Sequence, residues 1–164
     1  MRNVFLSYQI FDFIAIFCPF YPTPQKIVAQ KPKTISSKEE FEVIKTHCMQ
    51  GANMLRRLEN FEDEPLLQTA YDIARWHHER WDGRGYPDGL KGNDIPISAQ
   101  IVSLADVYDA LTSERCYKEA FSHETAMRMI LNGECGAFNP LLLECLTDIQ
   151  AELQEKSQNT AVSR

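Results

Sequence analysis

The chain is short of basic residues. Seventeen lysines and arginines stand against 23 aspartates and glutamates, a formal net charge of −6 over 164 residues. No basic surface is therefore available to displace counterions along a phosphate backbone, which excludes a general binder of nucleic-acid polymers. A small anionic ligand needs only a local cluster of cations and is left open. The five cysteines, Cys18, Cys48, Cys116, Cys135 and Cys145, are irregularly spaced and include no Cys-x-x-Cys pair. This excludes a disulfide framework and indicates reduced thiols in a cytoplasmic protein, each thiol read most plainly as a small core residue. A long unbroken apolar run is lacking too. Residues 4–21 are mostly apolar and aromatic, but Ser7, Gln9, Asp12 and Pro19 interrupt them. A spanning helix needs about 20 continuous apolar residues, and Asp12 would be costly inside one. Arg2 before this run resembles a secretory signal, yet no small-x-small cleavage pattern follows. A buried helix, a membrane-associated helix and a segment never selected as protein all remain open for it.

What is present suits one packed domain: 44% of residues are hydrophobic and 24% charged, enough apolar side chain for a core. Pro22, Pro24 and Pro32 make residues 21–34 an extended connector. Ser36 or Ser37, with Glu39 or Glu40 three residues on, forms a capping box for a helix running to about Leu58. Phe41, Ile44, Cys48, Ala52 and Leu55 recur along it at three- and four-residue steps. A second helix is expected from Glu64 to about Arg80. A third runs from Ala99, capped by Ser98, to about Thr112, and is apolar on nearly every side. Ser122 opens a fourth, ending near Gly133. Asn139 and Pro140 open a fifth that reaches Lys156. No useful strand alternation and no internal repeat occur. The expected fold class is all-α, a helical bundle of about five helices with one long glycine-rich loop.

Four polar residues stand where an apolar face is expected. His47 adjoins Cys48 on the inner row of the first helix. His77 and His78 fall near the end of the second. Asp106 lies four residues from both Val102 and Ala110, which directs its carboxylate inward. Taken singly, His47 is an ordinary hydrogen-bonded core histidine and Asp106 half of an ion pair with Arg75 or another cation. Together, three histidines and a buried carboxylate make a ligand set for a divalent transition metal, because a buried carboxylate must be paired, protonated or metal-bound. Adjacent helical residues diverge by about 100°, so His77 and His78 serve one site only if they embrace two metals or if the helix ends there.

The loop that follows, from Asp82 to Pro96, contains four of the seven glycines and two of the eight prolines. Gly83, Gly85, Gly89 and Gly92 permit positive φ or close backbone approach, while Pro87 and Pro96 stiffen the segment. Loops longer than about 12–15 residues are usually functional or disordered, and a stiffened, tyrosine-bearing one points to function. A structural crossover is the plain alternative.

His77-His-Glu-Arg-Trp-Asp82-Gly-Arg-Gly-Tyr-Pro87 resembles the HHE-x-x-DG-x-GYP signature of the HD-GYP family, bacterial phosphodiesterases of cyclic di-GMP within the HD phosphohydrolases. Gly89-Leu-Lys-Gly and Ile95-Pro96 continue it. Ala105-Asp-Val-Tyr-Asp-Ala-Leu-Thr-Ser113 with Arg115-Cys-Tyr-Lys118, Phe138-Asn-Pro140, Lys45-Thr-His47 and Lys31-Pro-Lys resemble further family segments. The likeness covers Pro24 to Leu146. It implies an HD-domain-like fold, metal ligands at His47, His77, His78 and Asp106, and substrate contacts at Tyr86, Arg115 and Lys118. Asp82, Gly83, Gly85, Tyr86 and Pro87 would form the signature loop. The implied cofactor is a divalent metal such as iron or manganese, and the implied reaction is metal-assisted hydrolysis of cyclic di-GMP to pGpG or GMP.

The family's His-Asp pair is missing. No His-Asp dipeptide occurs in the sequence, no histidine precedes His47, and Ile14 to Thr23 stand where the pair should be. The expectation is an N-terminally truncated domain: residues 1–23 unrelated to the family, 24–150 a partial HD-GYP domain, and 151–164 a polar end. Such a chain would hold one ion or none. Gln100 for arginine, Cys116 for proline and Asn139 for aspartate are smaller departures. Three functions follow: an impaired phosphodiesterase, a non-catalytic domain that binds cyclic di-GMP or a signalling partner such as a diguanylate cyclase, and, ranked last, a membrane-attached remnant.

Overall fold

A computed structural model describes residues 38–58, 62–113 and 119–155. The expectations for the apolar run 4–21, the proline-rich connector, the Ser36/Ser37 cap, Arg115, Cys116 and Lys118 lie outside the described residues.

The regular elements of the described chain are all helical: α1 Lys38–Arg56, α2 Pro65–Trp76, a 3-10 turn Gly92–Asp94, α3 Ile97–Thr112, α4 His123–Leu131 and α5 Pro140–Asp148. A further helical turn covers 150–155, so the last expected helix is broken at Ile149, the C-cap of α5. Among the described residues there is no strand, and no helix is long and apolar enough to cross a membrane.

Local chemistry explains most boundaries. The Ser122 side chain accepts the Thr125 N–H at 3.2 Å to open α4. Asn139 accepts the Leu141 N–H at 3.0 Å, with Pro140 in the first turn of α5. Each cap satisfies an amide that the helix itself leaves unpaired. Two expectations are corrected. Pro96, not Ser98, is the N-cap of α3, since the fixed φ of proline already suits the entry. The second helix stops at Trp76, four residues early, with His77 as its C-cap.

Two apolar clusters hold the elements together. Leu104, Leu111, Ala126, Met127, Ile130, Phe138 and Leu146 join α3, α4 and α5. Ala52, Leu55, Ala70 and Tyr71 join α1 to α2. The inner row of α1 is narrower than its periodicity suggests: Cys48, Ala52 and Leu55 are buried, but Phe41 is 42% exposed. Likewise Leu66 on α2 is exposed.

Candidate metal centre

The early end of α2 brings the histidines together. Past Trp76 the backbone leaves the helix, and the rings of His77 and His78 lie 4.1 Å apart at 42°. The His47 ring, from the middle of α1, is 5.4 Å from His77 and 5.1 Å from His78. Donor atoms of His47, Cys48, His77 and His78 all lie within 4.8 Å of one another. Cys48 is fully buried, and His47 and His77 are each 6% exposed.

The hydrogen bonds of two of these rings determine what the cluster can hold. His47 Nδ1 lies 2.6 Å from the Ile44 carbonyl oxygen and His77 Nδ1 lies 2.8 Å from that of Ile73. A carbonyl oxygen only accepts, so each Nδ1 carries the proton and each Nε2 presents a bare lone pair. Those two Nε2 atoms face each other at 3.4 Å. Neutral rings in this tautomer cannot hydrogen-bond to each other. Burial pushes His77 down to about 4 and His78 lower still, with the neighbouring histidines adding to the shift, so a second proton on His77 does not relieve the contact at neutral pH. A cation does. Nitrogen ligands about 2.0–2.1 Å from a tetrahedral ion stand about 3.4 Å apart, and an Nδ1–H donated to a carbonyl is the usual way a protein orients a histidine ligand. The residues fit a transition metal.

The glycine loop is tied to the end of α2 by its own charges. Asp88 accepts from Arg75 Nε at 2.7 Å, Arg75 Nη2 at 3.0 Å and Trp76 Nε1 at 2.7 Å. The arginine holds its carboxyl below the usual range. Buried Glu79 accepts the backbone N–H of Asp88 at 2.7 Å and of Gly89 at 2.9 Å, although burial still pushes its carboxyl upward. At Gly85 a Cβ would collide with the backbone of Glu79 and Arg80, so only glycine lets the loop cross there. The crossing sets Tyr86, whose bond to Pro87 is cis, with its ring 4.8 Å from His78 and 6.1 Å from Phe41. Lys45 Nζ lies 5.7 Å from the Tyr86 ring.

Asp106, on α3, is not one of the four clustered residues and is half-buried rather than enclosed. Its charge is felt by Arg80, the guanidinium that also bonds Ser103 Oγ at 2.6 Å. Arg75, one of the cations open to Asp106 when that residue is taken alone, pairs with Asp88. Gln100 and Asn139 turn out to be partners. Asn139 Nδ2 donates to Gln100 Oε1 at 2.9 Å, and Gln100 Nε2 donates to the Ile95 carbonyl at 2.7 Å. Two departures from the family pattern, one at an arginine position and one at an aspartate position, thus meet as a neutral pair. Sequence reasoning treated Cys48 as core and passed over Glu79 and Asp88 as loop anchors. The adjacency of Cys48 to His47 was the one available signal for the first.

Buried histidines converging beside a glycine-tyrosine loop in an all-α domain form a site that could hold a metal ion. The HD domain family profile matches residues 20–137. A Vibrio cholerae protein described as a probable cyclic di-GMP phosphodiesterase is 45% identical over 108 residues, 65% of this chain and 24% of that protein. A second from the same organism, a cyclic di-GMP phosphodiesterase, is 43% identical over 75% of this chain and 25% of its own length. A third, a 3'3'-cGAMP-specific phosphodiesterase, is 36% identical over 74% of this chain and 22% of its own length. The chain therefore belongs to the HD domain family, in its HD-GYP branch. It spans about a quarter of the length of these relatives.

Proposed function

We propose that residues 24–150 are the histidine-rich part of a metal-dependent phosphodiesterase domain for cyclic di-GMP, with turnover impaired by the missing His-Asp pair. On this reading residues 1–23 and 151–164 lie outside the domain in sequence. The observation that carries this reading is the pair of bare, buried Nε2 atoms of His47 and His77 set 3.4 Å apart, beside His78 and the Tyr86 loop. The relatives described as cyclic di-GMP phosphodiesterases support the substrate.

A bound divalent ion, iron or manganese, would activate water and neutralise charge on the phosphoryl oxygens. The chain's own residues do the rest. His47, His77 and His78 would hold the ion, and Asp106 of α3, outside their cluster in the ion-free chain, would have to join them on binding. The ring of Tyr86, already against His78, lines the nucleotide side. The loop Asp82, Gly83, Gly85, Tyr86 and Pro87 keeps that ring in place through the Gly85 crossing. Arg115 and Lys118, which follow α3 in the sequence, supply the cations that hold the substrate phosphates. The products are pGpG or, after a second cut, GMP.

A second reading rests on a specific feature: Ile14 to Thr23 carry no histidine or His-Asp pair, and the described cluster is built on three histidines. On this reading the domain binds cyclic di-GMP, or a signalling partner such as a diguanylate cyclase, without turnover. Assay of the purified chain with manganese or iron separates the two, using cyclic di-GMP and 3'3'-cGAMP in parallel. Release of linear dinucleotide that His78→Ala abolishes sinks the binding-only reading. Intact binding with no turnover sinks the catalytic one.

A further inference from the structure

We infer that Cys48 is itself a ligand at this centre, closing His47, His77 and His78 into a tetrahedral one-sulfur, three-nitrogen site selective for thiophilic ions. The motif resemblance places ligands on the histidines and Asp106 and none on Cys48. The inference depends only on an ion binding at the histidines, not on phosphodiester hydrolysis.

Three observations carry it. Cys48 is fully buried, and its sulfur lies within 4.8 Å of a donor nitrogen on each of the three histidines. Cys48 Sγ is 3.4 Å from His47 Nε2, the same nitrogen that faces His77 Nε2 at 3.4 Å. A tetrahedral ion with sulfur at about 2.3 Å and nitrogen at about 2.0–2.1 Å separates those donors by about 3.6 Å, and separates two nitrogens by about 3.4 Å. The sulfur's distance to His47 Nε2 is therefore within a few tenths of an ångström of that spacing, and the other two donors lie within 4.8 Å of it. Without an ion, the Cys48 thiol lies against the His47 Nε2 lone pair at 3.4 Å. When the ion enters, the sulfur–metal bond replaces the S–H bond and the proton leaves to solvent.

Two consequences follow from the chemistry of the donor set. A thiolate favours zinc and cobalt over manganese or magnesium, which prefer oxygen donors. Four protein donors also leave no open position on the ion. Sites closed in this way hold metal, whereas hydrolytic sites keep one place for water. Ligation by Cys48 thus favours an ion held for binding at this centre and opposes its use in turnover.

Anaerobic titration of the full chain with cobalt(II) tests the assignment. The expected result is the visible band pattern of a tetrahedral ion together with a near-ultraviolet sulfur-to-cobalt charge-transfer band. Cys48→Ser should lose the charge-transfer band and keep the visible bands of histidine-held cobalt. Cys145→Ser, at an exposed cysteine, should leave both. Visible bands without a charge-transfer band in the unaltered chain would overturn the role of Cys48 and leave histidine metal binding intact. Absence of any cobalt spectrum would overturn both. Should Cys48→Ser fail to fold, X-ray absorption of the zinc-loaded, unaltered protein decides the matter. A sulfur neighbour at about 2.3 Å from zinc is expected; a shell of nitrogen and oxygen alone would refute the ligation.

Discussion

The two ends of the described domain are held together by different forces. Around α3, α4 and α5, seven buried residues form one dry cluster, with Val107, Tyr108, Leu142 and Leu143 packed against it. Around α1 and α2 the buried apolar cluster is only Ala52, Leu55, Ala70 and Tyr71, and the next layer is polar: His47, His77, Glu79 and the Arg75–Asp88 clamp. The first region gains stability from area removed from water, which needs no exact partner. In the second, each polar group must find its acceptor or lose its desolvation energy. That arrangement places ligating atoms accurately and contributes less to overall stability. The site sits where the core is thinnest.

The sharpest way to break this contrast is to injure the dry end. Ile130 is 1% exposed at the centre of its cluster, and Ile130→Ala should cost about 2–5 kcal/mol of unfolding free energy. Cobalt affinity of the protein that remains folded should not change. A parallel fall in affinity, measured by titration alongside thermal melts, would show that the two ends are not separable.

Acid should injure the other end. The folded His77 is depressed to about 4 by burial, below its ordinary value near 6.5. The unfolded chain therefore binds the extra proton first. Stability from a neutral His77 is complete above about pH 6.5 and is lost as pH falls through about 4, by up to about 3 kcal/mol for this group. Urea unfolding of metal-free protein between pH 7 and 4 measures it. His77→Gln should flatten the curve over that window, and an unchanged curve would refute the assignment of a buried neutral ring.

The smallest expected effect lies at the joint between the ends, where Gln100 of α3 meets Asn139. Gln100→Arg alone places an unmatched charge in a buried position, and Asn139→Asp alone places one of opposite sign in a half-buried position. The double substitution should recover much of the loss, with a coupling of about 0.5–3 kcal/mol in a double-mutant cycle. Strictly additive losses would mean that the hydrogen bond between them carries no coupling. The visible pairing shows why two departures that look independent along the chain belong together.

Much of this protein was legible from neighbouring residues alone. Ser122 with Thr125 and Asn139 with Pro140 mark helix starts because a cap acts within three residues of itself. The order of motifs from Lys45 to Pro140 points to the HD-GYP branch without any coordinates; the family profile supports the HD domain and the cyclic di-GMP phosphodiesterase relatives support the branch. The loop glycines announce a special backbone, but not which of them is obligatory. What tertiary structure decided are meetings between distant segments. Helix α2 stops at Trp76 because loop amides and carboxylates gather there, which a helical period from Leu66 to His77 cannot reveal. The facing nitrogens of His47 and His77 are separated by 30 residues, and the Gln100–Asn139 pair by 39. Cys48 carries the clearest lesson. Its place on the inner row of α1 follows from spacing, and spacing alone makes it a small core residue. Only the arrival of two imidazoles from the end of another helix makes its sulfur a donor, because ligation depends on distances between atoms that the order of residues leaves free.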